Sequence, residues 1–231
     1  MFKFTSSVLA LAFASVAVSQ AMAADVSFSG FTHGSKTVTA KLSTLNGNLT
    51  KTVSAGGFST VLNGGPSFES YCVDLYQTIA FGASPYHEYT LPNTTHVFAN
   101  SHAYADLGRL YANAGPIGDA LHEAAFQIAV WKTAYETTGA YDLAHSAATF
   151  VGGTAGSSGA LTLAAGWLAS LGSGSGRTVV VLESSAHQDV VIAVPEPSTY
   201  LLMFAGLFGV IFMARWRGWQ ANRLILPSRT A

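Results

Sequence analysis

The chain has 231 residues, of which 49% are hydrophobic and only 10% are charged, and its formal net charge is −1. This length suits one domain with short appendages. Residues 25–194 carry 6 Lys and Arg against 11 Asp and Glu, so this body is mildly acidic. The absence of a basic patch argues against nucleic acid as a partner.

Residues 1–24 have the three parts of a secretory signal peptide. Lys3 supplies the charged start, residues 8–18 are apolar, and residues 21–23 (Ala-Met-Ala) form a small-x-small cleavage site. We expect cleavage after Ala23 and export of the mature chain across the inner membrane. An uncleaved anchor helix is the alternative, but the apolar run is short for it.

Export exposes the single cysteine, Cys72, to an oxidising compartment. Without an intrachain partner it must be buried, paired with another chain or chemically committed.

A period of two runs through the first half of the body. Val38, Ala40 and Leu42 occupy alternate positions, as in a half-buried strand. Turn signals at residues 46–48 and 63–66 separate such runs, and further strands are predicted within residues 68–79 and 86–91. These features predict antiparallel β-structure.

Helical spacing replaces this pattern after residue 92. Apolar residues recur at three- and four-residue steps, which predicts helices near residues 103–111, 118–136 and 160–171. Strand patterns return within residues 177–194, and the last strand, residues 190–194, should rejoin the sheet. The predicted fold class is α+β: an antiparallel β-sandwich or barrel-like body, residues 25–194, with two to three inserted helices. A separate C-terminal transmembrane helix should follow.

The C-terminal segment, residues 195–231, combines three features. Pro195, Glu196 and Pro197 form an extended joint, residues 200–214 are almost wholly apolar, and Arg215 and Arg217 begin a basic stop. The layout resembles the PEP-CTERM sorting signal, although the arginines are more spread than is usual. The resemblance implies recognition and cleavage near this motif by an exosortase, a membrane transpeptidase. It also implies an anchor in the inner membrane before processing and delivery to the cell surface afterwards, often in species that make exopolysaccharide.

Two motifs in the body resemble those of bacterial thioester domains from surface adhesins. Residues 71–75 read Tyr-Cys-Val-Asp-Leu, and residues 126–131 read Phe-Gln-Ile-Ala-Val-Trp. The resemblance implies that Cys72 and Gln127 form an internal thioester, with Trp131 packed behind the helix. One departure is Phe126, where threonine is usual.

The chemistry of this pair predicts a covalent adhesion or matrix protein. A cysteine thiolate attacks the glutamine carboxamide, and the resulting thioester acylates an amine or hydroxyl group of a cell-surface or matrix ligand. Water must be kept out, so an aromatic lining is expected. Its candidates are Tyr71, Tyr76, Phe126 and Trp131.

Three alternatives remain open. Cys72 can be a buried apolar residue and Gln127 a polar position on an amphipathic helix, which would leave a non-covalent, exopolysaccharide-associated matrix protein. A secreted hydrolase would require a cleft with two ionisable groups of perturbed pKa. Residues 122–126 begin an H-E-x-x-H zinc pattern, but Phe126 replaces the second histidine. The seven histidines have no metal-ligand spacing. We therefore expect no enzyme activity, no cofactor and no metal.

Overall fold

The computed structural model describes residues 23–44, 47–82, 84–90, 92–152 and 157–194. Residues 1–22 of the predicted signal peptide, residues 1–24, lie outside these ranges, whereas its last two residues are described. The predicted sorting segment from Pro195, with its transmembrane helix and basic stop, also lies outside these ranges. Within the described ranges, no helix combines the length and apolar character that crossing a membrane requires.

Nine strands and three helices make up the described part of the chain, which confirms the predicted α+β class. In chain order they are β1 Ala23–Phe31, β2 Lys36–Thr44, β3 Gly47–Ala55, β4 Phe58–Leu62, β5 Ser67–Cys72, β6 Tyr86–Thr90, α1 Ala103–Asn113, α2 Ala120–Tyr135, β7 Ala148–Gly152, α3 Ser157–Ala169, β8 Val179–Leu182 and β9 Val190–Ala193.

The larger sheet is a curled half-barrel. Its six strands have the order β6-β1-β4-β5-β9-β8, and all neighbours are antiparallel. The edges β6 and β8 approach each other, because Asn93 and Val181 exchange backbone hydrogen bonds of 3.0 and 2.8 Å just beyond β6. The structure thus favours the barrel-like form of the prediction, and β9 rejoins the sheet as expected.

A smaller sheet with the order β3-β2-β7 lies beside it. Val38, Ala40 and Leu42 of β2 are all buried, as their alternate spacing predicts. Strands β2 and β3 form an antiparallel pair that begins at Thr44 and Gly47, so residues 47 and 48 of the predicted turn belong to β3. Gly47 has a φ of 110°, a conformation that favours glycine.

Helix α2 lies at the centre of the body. It packs against α1, α3, β5 and the smaller sheet. Asp119 caps its start by accepting hydrogen bonds from the backbone N–H groups of Leu121 and His122 at 2.8 and 2.9 Å. One of the alternatives drawn from the sequence placed Gln127 at a polar position of an amphipathic helix. The structure contradicts this alternative, because α2 is enclosed by neighbours and every residue from Glu123 to Ala134 is buried.

Two local expectations are also corrected. The strand predicted within residues 68–79 ends at Cys72, because Asp74 accepts a hydrogen bond from the Tyr76 N–H at 2.8 Å and forms a turn. Strand β7 was not predicted, since only five residues carry its pattern.

Candidate functional site

Cys72 and Gln127 are in direct contact, although 55 positions separate them. Cys72 ends β5 and Gln127 lies in the middle of α2. The Cys72 N–H donates to Gln127 Oε1 at 2.9 Å, and Gln127 Nε2 donates to the Cys72 carbonyl oxygen at 2.8 Å. Both residues have an exposed fraction of 0%. The fold therefore brings together the two residues that the paired motifs singled out.

The end of a β-ladder explains why a glutamine lies there. The Val73 N–H donates to Asp189 O at 2.9 Å on the β9 side of β5. Backbone groups alternate along a strand, so those of Cys72 point to the β4 side. The β4–β5 ladder stops at the Phe58–Ser70 pair. The Gln127 carboxamide thus occupies the place of a missing peptide group and satisfies both buried backbone groups of Cys72.

The Cys72 thiol is held in its neutral form. Burial raises its pKa to about 12, although the neighbouring Trp131 indole N–H acts in the opposite direction. Its Sγ donates to the carbonyl oxygen of Asp74 at 2.9 Å. Reaction of this sulfur therefore requires a step that removes its proton.

The four predicted aromatic residues lie in different surroundings. Tyr71 and Phe126 contact each other on another side of β5, with ring centroids 4.5 Å apart. Trp131 stacks on Phe150 at 6.1 Å. Tyr76 lines a cavity of about 750 Å³ together with Asp74 and Tyr135, next to the turn that follows Cys72. Of the four, Tyr76 alone lines this cavity.

A second cluster, which sequence spacing did not predict, surrounds Glu123. One helical turn before Gln127, this fully buried carboxylate accepts hydrogen bonds from the Gly57 N–H at 2.8 Å and the Tyr71 hydroxyl at 2.9 Å. His33 Nδ1 lies 2.7 Å from its other oxygen. Burial, together with the nearby Glu123 carboxylate, raises the pKa of Glu69 to about 7. These residues come from the β1–β2 loop, β5 and α2, so no local motif could reveal them.

A second cavity and a third cluster of ionisable side chains lie elsewhere in the described residues. Glu69 also lines a cavity of about 470 Å³ with Phe126 and Arg177. Elsewhere, His96 Nδ1 lies 2.8 Å from Glu183 Oε1 and 3.7 Å from Asp189 Oδ2. Burial raises the pKa of Asp189 to about 6.

Comparison with known proteins gives a match at the C-terminus. Residues 193–217 match the PEP-CTERM protein-sorting motif. The matched segment starts at the last residue of β9, where the described body ends. No curated protein and no solved structure matches the chain.

The chain therefore carries a signal for export and surface sorting. A PEP-CTERM motif marks a protein that an exosortase processes and delivers to the cell surface. Pro195, Glu196 and Pro197 fall within the matched residues, as do Arg215 and Arg217. The comparisons thus bear out exosortase sorting and give no support to the thioester-domain resemblance of the body.

Proposed function

We propose that this exosortase-sorted protein attaches covalently to a surface or matrix ligand through an internal thioester between Cys72 and Gln127. Its role is adhesion, or association with exopolysaccharide in a biofilm, after release from a C-terminal membrane anchor. Each chain reacts once, so the protein is not an enzyme. The observation that carries the proposal is the contact between the Gln127 carboxamide and Cys72 in a fully buried environment.

The proposed reaction balances without a further reagent. The Cys72 thiol loses its proton, and the sulfur attacks the Gln127 carboxamide carbon. The C–N bond then breaks, and Nε2 leaves as ammonia with the thiol proton. In the second step, an amine or hydroxyl group of the ligand attacks the same carbon. The C–S bond breaks, the thiol is regenerated, and an amide or ester joins the ligand to Gln127.

The hydrogen bonds around Gln127 fit the first step. Negative charge develops on Oε1 when the sulfur attacks, and the Cys72 N–H already donates to this atom at 2.9 Å. The leaving group, Nε2, is held by its hydrogen bond to the Cys72 carbonyl. The Trp131 indole N–H next to Cys72 acts to lower the pKa of the thiol and so favours the thiolate. These contacts support stabilisation of the attacking and developing charges.

A cavity lies beside the segment that follows Cys72. The cavity of about 750 Å³ is lined by Asp74, Tyr76 and Tyr135. The Tyr135 hydroxyl accepts the Leu75 N–H at 2.7 Å, so the cavity wall is tied to the segment that follows Cys72. Aromatic walls next to buried chemistry help to exclude water until a ligand arrives.

The second candidate is a non-covalent matrix protein. It is favoured by the raised pKa of the Cys72 thiol and by the hydrogen bonds that both ends of the Gln127 carboxamide make with the Cys72 backbone. In that case, Gln127 closes the end of a β-ladder and Cys72 fills space in the core.

Peptide mapping distinguishes the two candidates. We would express the full-length chain in a host with an exosortase, recover it from the surface and digest it with trypsin. Cys72 lies in the fragment of residues 52–109 and Gln127 in that of residues 110–132. A thioester joins these fragments with a mass deficit of about 17 Da, the loss of ammonia. Treatment with methylamine should separate them and leave the second fragment about 14 Da heavier than its unmodified form.

Gln127→Ala and Cys72→Ser are the controls, and neither should give the joined fragments. If the wild-type chain yields two separate, unmodified fragments, the covalent mechanism is refuted and the non-covalent candidate stands.

A further inference from the structure

We propose that His33, Glu69 and Glu123 form a binding site for a first-row divalent transition-metal ion, with Zn²⁺ as the representative. The contributing atoms are His33 Nδ1 and one carboxylate oxygen from each glutamate. All three lie within 4.8 Å of one another. The site is independent of the proposed thioester chemistry.

The distances suit a tetrahedral ion. Ligand atoms about 2.1 Å from a tetrahedral zinc ion lie about 3.4 Å apart. His33 Nδ1 is 2.7 Å from Glu123 Oε1 and 4.0 Å from Glu69 Oε1, so the observed separations bracket the required one. Shifts of less than about 1 Å would complete the coordination. His33 and Glu69 are part-exposed, with side-chain exposed fractions of 41% and 31%, which leaves an entry path and room for a water ligand.

Neighbouring groups already orient the central ligand. Glu123 Oε2 accepts two hydrogen bonds, from the Gly57 N–H and the Tyr71 hydroxyl, and this leaves Oε1 directed at His33. Such supporting hydrogen bonds are characteristic of protein metal sites. A side chain at position 57 would obstruct this arrangement, because a Cβ there would lie 2.4 Å from Glu123 Oε2.

The cluster combines two carboxylates with a single imidazole. Among the described residues, the ion pairs of both carboxylates involve only His33. Glu123 is fully buried. Glu69 Oε1 is also buried and makes no hydrogen bond among the described residues, although it lies 4.0 Å from His33 Nδ1. A buried carboxylate oxygen without a hydrogen bond, close to an imidazole nitrogen, is the feature that points to a metal ion.

The ligand chemistry selects the class of ion. Imidazole favours zinc and related transition metals over Mg²⁺ and Ca²⁺. Ca²⁺ requires six to eight oxygen ligands, whereas this cluster offers two carboxylates. The third cluster, His96, Glu183 and Asp189, has the same ligand types but no orphaned buried oxygen among its described atoms. It therefore supplies a matched control.

The test is a calorimetric titration of the full-length exported protein with ZnCl₂ after treatment with a chelator. We expect one Zn²⁺ per chain, bound in the micromolar range or tighter. His33→Ala and Glu69→Gln should each weaken binding by at least about tenfold, the lower end of the loss seen even for supporting residues. His96→Ala should leave the affinity unchanged. Co²⁺ absorption provides a second readout, because ligand-field bands should appear in the wild type and be lost in His33→Ala.

Circular dichroism of each variant checks that the fold is retained; both substituted side chains are part-exposed, so we expect native spectra. Three outcomes would overturn the proposal. They are no binding at millimolar Zn²⁺, undiminished binding by folded His33→Ala, and loss of binding in His96→Ala.

Discussion

Lys132 and Glu136 form a buried ion pair on which the segment between α2 and β7 depends. Lys132 Nζ lies 2.7 Å from Glu136 Oε2, and both side chains are fully buried. The same ammonium group donates to the carbonyl oxygens of His145 and Ala148, each at 2.9 Å, and to Ser146 Oγ at 2.7 Å. One cation thus fixes the end of α2 and the start of β7.

Lys132→Met should destabilise the protein strongly. The substitution keeps much of the side-chain volume, but it leaves the Glu136 carboxylate buried without its counter-ion and two carbonyl groups without a donor. Removing one partner of a buried pair costs about 3–5 kcal/mol in free energy of unfolding. Urea denaturation of the exported protein, followed by tryptophan fluorescence, measures this difference by linear extrapolation.

Lys41→Met is the matched control. Lys41 lies on β2 and is exposed, so the same chemical change there should alter the free energy of unfolding by less than about 0.5 kcal/mol. The reasoning is refuted if Lys132→Met costs less than about 1 kcal/mol, because the buried carboxylate would then have found another compensation.

The pH dependence of stability gives a second measure of the same pair. Burial acts to raise the pKa of Glu136, but hydrogen bonds from Lys132, Ser146 and Thr138 outweigh it and hold the pKa at about 2, below the ordinary 4.5. A lowered pKa in the folded state gives stability that is fully present above pH 4.5 and is lost as the pH falls towards 2. The difference between wild type and Lys132→Met should therefore shrink across this interval.

Two further predictions concern the backbone. Gly57→Ala should cost at least about 2 kcal/mol in free energy of unfolding, because its Cβ would meet Glu123 Oε2 at 2.4 Å. Gly166 lies at an exposed position of α3 with open space around it, so Gly166→Ala should instead stabilise the folded protein by about 0.5–1 kcal/mol. Equal changes in the free energy of unfolding for Gly57→Ala and Gly166→Ala would contradict this explanation. Ser146 has a φ of 82°, so Ser146→Gly should be more stable than Ser146→Ala by roughly 1 kcal/mol, although both lose the hydroxyl bonds. Urea denaturation tests that order, and a more stable alanine variant would show that backbone strain is not the controlling term.

Local patterns account for the elements that sequence analysis found. Alternation at Val38, Ala40 and Leu42 identifies β2 because one face of that strand is buried. The glycine at position 47 marks its hairpin, since the turn needs a positive φ. The sorting motif is equally local, because its proline joint, apolar run and arginines follow one another along the chain. Such features depend on residues that are close in sequence, so the sequence alone predicts them.

Full burial limits this approach for α2, and short length limits it for β7. A helix enclosed on all sides has no polar face, so its periodicity did not reveal that Gln127 lies in the core. A five-residue strand carries too few alternations to be distinguished from a loop. In both cases the surrounding tertiary structure, rather than the local sequence pattern, determines which residues are buried and paired.

Residue type and short-range spacing predict the α+β class, the order of most elements and the exosortase sorting motif. The pairing of Cys72 with Gln127 came from the resemblance of two motifs to those of thioester domains. Only the tertiary structure decided that Gln127 closes a β-ladder at Cys72, and that His33, Glu69 and Glu123 meet. Those contacts join segments 36 to 90 positions apart, and their distances depend on how α2 packs against the curled sheet. No spacing along the chain encodes that packing directly, because it results from the summed burial of many distant side chains.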